Sequence, residues 1–476
     1  MAVSSEKVRV AGGVVASVES HGANAGAEIL GLGGNAADAA IAAAFAQGVS
    51  DPLRCGIGGG GGGLFYDAST KSIDSIFSVG RAPQRAHDRM FTPTGHWGTL
   101  FRVEGAKNQL GYEASIIPGF VRGMEQMFKA HGSGRVSWRQ LIEPSIRLAY
   151  EGFEVYPFLA MMWDAPAAGS NDFIGVGRQT VMQTAESKRL FTRSDSSFLQ
   201  IGDVLVQEDY GRTLERIAEQ GADEFYEGET AKLIAKDFEE NGGYLSLSDL
   251  ANYRPDVEET LESTYRHLRV VTEDAPSVGP TFLEALHVLE GWDLGSLGFN
   301  SAEYIDRLAR ALNRAFMDRA EHIGDPESVD VPMDKLLSRD YASQIRESIE
   351  QAITDGANRP TVITALSGPS ETTHVTVIDG DSNAAAITHS VGSASGVITP
   401  GLGFFHNNHM IQFDARPGKP NSIAGGKRPN AGGAPVFGFD GDELVLAMGS
   451  PAGGRKVSAM AQVLANIVDF GMPVDV

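Results

Sequence analysis

The chain reads as an α+β protein, or as a layered α/β one. Three observations point there: a strand and paired helices open it, a helical stretch fills the middle, and the end is rich in strand-forming residues. "VRVAGGVVASVES" (8–20) has the β-branched content of a strand. "GANAGAEILGLGGN" reads as a short helix stopped by Gly33 and Gly34. Asn35 is placed to cap the next helix, with Asp38 in its first turn favouring the helix dipole. That helix runs to about Gly48, and its small residues permit close backbone approach, so a central position is expected. "GIGGGGGG" (56–63) follows, then "LFYD" as a strand. Helices are expected over 119–131, 137–151 and 228–241. The clearest is 301–323, where Ile305, Leu308, Ala309, Leu312 and Phe316 form one apolar stripe. Another is expected from about Asp334 to Ile353. Residues 356–371 lack any period and are rich in Gly, Pro and Ser, the composition of a linker. "THVTVID", the turn "DGDSN" and "AAAITHSV" then give a hairpin. "GFFHNNHMIQF" and "LVLAMGS" are further strand candidates.

With 476 residues and 42% hydrophobic content, the chain has material for a large core. Its formal net charge of −22 argues against unspecific binding to nucleic acid or to anionic membranes. The one cysteine, Cys55, allows no intrachain disulfide and has no hydrolase signature around it, so a small buried residue is the expectation. "MAVSSEKVRV" lacks the basic and apolar regions of a signal peptide, and no run is apolar enough to span a membrane. A cytoplasmic location is therefore expected.

The glycine run formally matches Gly56-x-Gly58-x-x-Gly61, but a dinucleotide loop needs a helix after the glycines, and here a strand follows. No Gly-Lys-Ser/Thr appears either. A structural turn and a backbone-lined wall beside an active site remain open. His374, His389, His406 and His409 cluster in sequence, yet no metal signature accompanies them, and neither metal nor cofactor is expected. "GSASG" (392–396) spaces its glycines as a serine-hydrolase elbow does, but Ala394 stands where the nucleophile belongs, between Ser393 and Ser395.

Thr372 opens the first strand after the linker. A threonine at a strand start is by itself ordinary. It becomes a nucleophile if the chain is cut before it, because its own α-amine can then act as the base.

The wider sequence resembles the γ-glutamyltransferase family of N-terminal-nucleophile hydrolases. "VVASVESHGANAGAEILGLGGNAADAAIAAAFAQGVSDP" with "GIGGGG", then "IIPGFVRGM", "FMDRAEHIGDPE", "ETTHVTVID", "HNNHM", "GKRPN" and "GSPAGGR" follow in that family's order. The resemblance implies a four-layer αββα sandwich. It implies self-cleavage between Glu371 and Thr372 into a large subunit (1–371) and a small one (372–476) that stay together. It implies attack by Thr372 on a small-molecule amide and passage of the acyl group to water or an amine. Main-chain N–H groups of Ala452 and Gly453 would hold the oxyanion. Ser390 would contact the nucleophile's α-amine, and Thr373 would support its strand.

The departures from the family lie in the acyl pocket. Val79 stands where the family holds the glutamyl carboxylate with arginine, and Arg81 is a candidate substitute two residues on. The positions that hold the glutamyl ammonium read Gly392, His409 and Gln412, and a serine pair is replaced by Ala431 and Gly432. Each missing charge-assisted hydrogen bond costs roughly 1.5–3 kcal/mol, so a non-γ-glutamyl amide is expected. A true glutathione-cleaving transferase and a non-catalytic binding protein on this scaffold are the alternatives. Segment 372–476 is shorter than the family's small subunit, which leaves two expectations: strands completing the β-layers are missing, or this relative closes its core differently.

Overall fold

The computed structural model describes residues 12–97, 100–164, 177–357, 372–431, 433, 435–451 and 453–474. In chain order its main elements begin with β1 (Gly13–Ser17), α1 (Ser20–Gly31), α2 (Ala36–Ser50), β2 (Gly60–Asp67) and β3 (Ser72–Ser78). Next come α3 (Phe120–His131), α4 (Trp138–Glu151), β4 (Asp256–Glu258), β5 (Leu261–Tyr265) and β6 (Leu268–Thr272). Helices α5 (Gly279–Leu289), α6 (Ala302–His322) and α7 (Arg339–Thr354) precede β7 (Thr373–Asp379) and β8 (Ala384–Ser390). The chain then forms β9 (Val436–Asp440), β10 (Glu443–Met448) and α8 (Arg455–Val468).

The strands form a six-stranded antiparallel sheet, ordered β1-β7-β8-β2-β3-β4, and a four-stranded one, ordered β10-β9-β6-β5. Period-2 alternation assigns the faces. Leu64 and Tyr66 of β2, Ala384 and Ala386 of β8, and Val271, Phe437 and Phe439 of the smaller sheet pack together between the sheets. Phe65, Val375, Val377 and Ile387 point the other way, into a core with α2, α3 and α4. Val270 and Val436 likewise pack outward against α5, α6, α7 and α8. Helices, sheet, sheet, helices: the four-layer expectation is met.

The early helices form as their sequence requires. Asn35 accepts from the Asp38 backbone while Asp38 accepts from the Asn35 backbone, a complete capping box. All of α2 is buried, which its alanines allow. Cys55 is buried too, its Sγ 3.2 Å from the Gln47 carbonyl.

Several expectations change. The 334–353 helix is two, Met333–Leu336 and α7, separated where Ser338 caps α7 through the Tyr341 N–H. "GFFHNNHMIQF" is not a strand: its backbone bonds go to Gly58, Val391 and Val397 in different places, and it ends in a 3₁₀ turn, His409–Gln412. The linker's residues 358–371 lie outside the described residues.

The glycine run is part of the sheet, with Gly60–Gly63 inside β2. A Cβ at Gly59 would collide with the Ser390 carbonyl, at Gly60 with the Val79 carbonyl, at Gly61 with the Thr388 carbonyl, and at Gly62 with the Glu273 carboxyl. Gly61→Ala should therefore lower the thermal midpoint sharply, overpacking costing about 1–3 kcal/mol or more. Gly31→Ala, which faces open space at the end of α1, should change it little. Equal midpoints for the two variants would show that close packing is not what the run serves.

Candidate active site

Thr372 stands immediately before β7, the second strand of the larger sheet, and is 7% exposed. The β7–β8 pairing sets Thr373 against His389, which brings the next residue of β8, Ser390, beside Thr372. The Thr372 hydroxyl donates to Ser390 Oγ at 3.2 Å. Ser390 Oγ also accepts the Gly392 N–H at 2.8 Å and donates to the Arg54 carbonyl at 3.2 Å. Ser390 is thus a fixed hub, and its contact to Thr372 is with the side-chain oxygen. Arg54 is itself held by a buried ion pair with Asp51 at the end of α2.

Thr372 opens into a cavity of about 440 Å³. Its wall contains Ser390, Gly392, His409, Gln412, Ala431 and Gly453, so the sequence-expected acyl-pocket and oxyanion positions converge on one space. Val79 lines it as well. Glu371, Gly432 and Ala452 lie outside the described residues. Gly392 has a local reason: its φ is +68°, and a Cβ there would collide with Asn408 Oδ1. That oxygen accepts the Ser393 N–H at 3.0 Å.

Arg81 is not in the wall. It is engaged by Glu327 at 2.7 and 2.9 Å and by Asp256 at 2.6 Å. The neighbouring Arg428, of "GKRPN", takes Asp325, of "GDPE", at 2.9 Å and also pairs with Glu258. Arg81 belongs to this structural ion-pair network, and its offset from Val79 directs it there. It does not replace the family's pocket arginine.

The four clustered histidines are buried, and three of them are held by hydroxyls or an amide. His374 lies 2.8 Å from both Thr388 Oγ1 and Thr376 Oγ1, His389 2.9 Å from Gln47 Oε1, and His406 2.9 Å from Thr399 Oγ1. Burial pushes the first three down to about 3 and His409 to about 4. All four are neutral at pH 7, so none competes with an α-amine as a base titrating near neutrality.

Other wall residues were not anticipated. Helix α6 lays Ile305, Leu308, Leu312 and Phe316 along the cavity, so the stripe that reads as core also faces the site. Arg319, from the same helix, and Arg455 and Lys456, from the start of α8, bring three cations. The only available sequence signal for the last two was their place directly after "GSPAGG", at the positive end of a helix.

A threonine heading an inner strand, with a β-sandwich between helical layers, defines an N-terminal-nucleophile hydrolase site. The chain belongs to the gamma-glutamyltranspeptidase family, whose model matches residues 22–475. It is 32% identical to a glutathione hydrolase proenzyme of Escherichia coli (strain K12) over 98% of this chain and 80% of that one. It is 33% identical to the Acylase ACY 1 proenzyme of Pseudomonas sp. (strain SE83), over 94% and 78%. The crystal structure of a cephalosporin acylase from Bacillus halodurans superposes with a TM-score of 0.81 at 27% identity, covering 99% of this chain and 83% of that one. The protein is an enzyme of this family. Among the described residues no helix is long and apolar enough to cross a membrane.

The histidine shifts set a pH dependence. The folded-state pKa of His389 lies below its ordinary value of 6.5, so the stability tied to its neutral form is complete above 6.5 and is lost as pH falls towards 3. The stability advantage of wild type over His389→Gln should shrink by about 1.4 kcal/mol per pH unit below about 6. Urea unfolding at pH 7, 5.5 and 4.5 measures it. A constant difference would mean that His389 is not held neutral.

Proposed function

We propose that this protein is an autoprocessing threonine amide hydrolase and acyltransferase whose acyl group is not γ-glutamyl. One observation carries the reading: Thr372, bonded to Ser390, faces a cavity whose described wall contains no carboxylate. The α-ammonium of a glutamyl group needs a carboxylate partner when it leaves water. Here its place is taken by Gly392, a neutral His409 and Gln412.

The chemistry follows from the groups present. In the cut chain the α-amine of Thr372 takes the proton from Oγ1, and Oγ1 attacks the amide carbonyl. The oxygen of the tetrahedral intermediate is held by main-chain donors near Gly453, at the positive end of α8. Collapse returns the proton to the departing amine and leaves an ester on Thr372. Water or an acceptor amine then releases the acyl group. Ser390 fixes the direction of Oγ1 throughout.

Two further facts support processing. Thr372 has φ +90°, a conformation that a β-branched residue adopts only under constraint, at a cost of order 1–3 kcal/mol. A cut before Thr372 removes that dihedral. Several relatives also carry the name proenzyme.

The relatives' names leave open a true glutathione hydrolase, and paired probes decide. Glutaryl-4-nitroanilide should be cleaved at least about tenfold better, in kcat/KM, than γ-glutamyl-4-nitroanilide, which differs only by the ammonium. Better turnover of the γ-glutamyl probe would establish the glutathione-type reading. Thr372→Ala should remain one inactive chain by intact mass, and Thr372→Ser should process partly. A processed, active Thr372→Ala protein would refute the nucleophile.

A further inference from the structure

The apolar face of α6 is wider than its packing requires. Tyr304, Leu308, Ala311, Leu312 and Ala315 settle into the core shared with α5, α7 and α8. That is one stripe, and an amphipathic helix is ordinarily polar beside it. Here a second row runs along the helix: Ile305, Ala309, Leu312 and Phe316, at i, i+4, i+7 and i+11. All of this row lines the cavity into which Thr372 opens.

The row is open rather than covered. Ile305 is 44% exposed, and Val278, the N-cap residue of α5, and Leu100 add apolar surface to the same wall. Single exposed apolar side chains are ordinary, but a contiguous set inside a concave site is how small-molecule pockets are built. From Ile305 to Phe316 the row runs about 16 Å along the helix, well beyond the few bonds around a scissile amide. The polar residues of the wall nearest in sequence, Asn300 and Asn313, are uncharged. Arg319 follows Phe316 at one end of the row, and Arg455 and Lys456 belong to α8.

We propose that this face of α6 is an apolar subsite, and that the substrate is an amide carrying an extended apolar group, aryl or alkyl, several bonds from the scissile carbonyl. This rests on the amidase reading above and names its substrate class. Continuity fixes the occupant: the face and Thr372 line one cavity, so what covers the face is part of the molecule that Thr372 attacks. Ile305 is the specificity-determining residue, being the most open of the row. The apolar group belongs either to the acyl part or to the departing amine, and the probes separate the two.

The test uses processed wild-type enzyme, two pairs of probes, and glutaryl-4-nitroanilide as the control. Glutaryl-glycinamide and glutaryl-phenylalaninamide differ by an apolar group on the amine side. Pentanoyl-glycinamide and 5-phenylpentanoyl-glycinamide differ by one on the acyl side. In at least one pair the apolar member should be cleaved about 10- to 100-fold better in kcat/KM, the range of burying one large apolar side chain. In Ile305→Gln, polar and similar in reach, that gain should fall about three- to tenfold through KM, and Ile305→Leu should keep most of it. An open helix position tolerates both changes, and each variant's self-cleavage into two chains reports that it has folded. Turnover of the control with no gain in either pair overturns the apolar subsite and leaves the amidase reading standing. A gain unchanged in processed Ile305→Gln overturns its placement on α6. Cleavage of none of the probes by processed enzyme overturns both.

Discussion

The site depends on how closely three strands approach one another. β7 delivers Thr372, β8 delivers Ser390, and β2 lies against β8 with its glycines facing Ser390, Thr388 and the Val79 carbonyl. Paired strands are always about 4.8 Å apart, so pairing alone demands no glycine. What demands it is unusually close crowding from several directions: the Ser390 and Thr388 carbonyls of β8, the Val79 carbonyl and the Glu273 side chain come where Cβ atoms would be. Main chain thereby becomes cavity wall at Gly60 and Gly61, and Thr372 rests on a framework with little side-chain freedom. The run that resembles a phosphate loop in sequence is a packing device.

Much of this was legible in the sequence, for definite reasons. α2 could be read because its cap, its first-turn acid and its alanines agree. β7 and β8 could be read because a polar turn separates two β-branched runs. The strands β3, β5, β6 and β9 were not read, since stretches such as "LESTY" and "VFGFD" mix polar residues or glycine into short runs and give no clear period. Phe404–Met410 has strand-like composition, yet its backbone partners lie on three separate segments that only the finished fold assembles. The acyl-pocket positions came together because motif spacing preserved them. Arg81 did not, because two residues along an extended segment are enough to deliver a side chain to another environment.

That environment explains how charge is divided in the molecule. Asp256, Glu258, Asp325 and Glu327 collect Arg81 and Arg428 into one network that joins the "GDPE" and "GKRP" segments. Asp325 and Arg428 are buried, and breaking such a pair costs about 3–5 kcal/mol. These arginines are committed to the fold through their pairs with the four acids. The cavity wall carries Arg319, Arg455 and Lys456, and no Asp or Glu among its described residues.

Substrate charge and transition-state charge then have to be considered together. A γ-glutamyl head carries an ammonium and a carboxylate, so it adds no net charge beside the oxyanion that forms when Thr372 attacks. A carboxylate without its ammonium adds a full negative charge to the same small, partly dry space, where like charges repel far more strongly than in water. In the proposed reaction, main-chain donors near Gly453 hold one negative charge as it develops and do not offset a second. In the proposed reading a substrate with no ammonium needs no acid to hold one, and the described wall contains none. Under the proposed function, the neutral His409 and Gln412 are the counterpart of a substrate that brings no ammonium into the cavity.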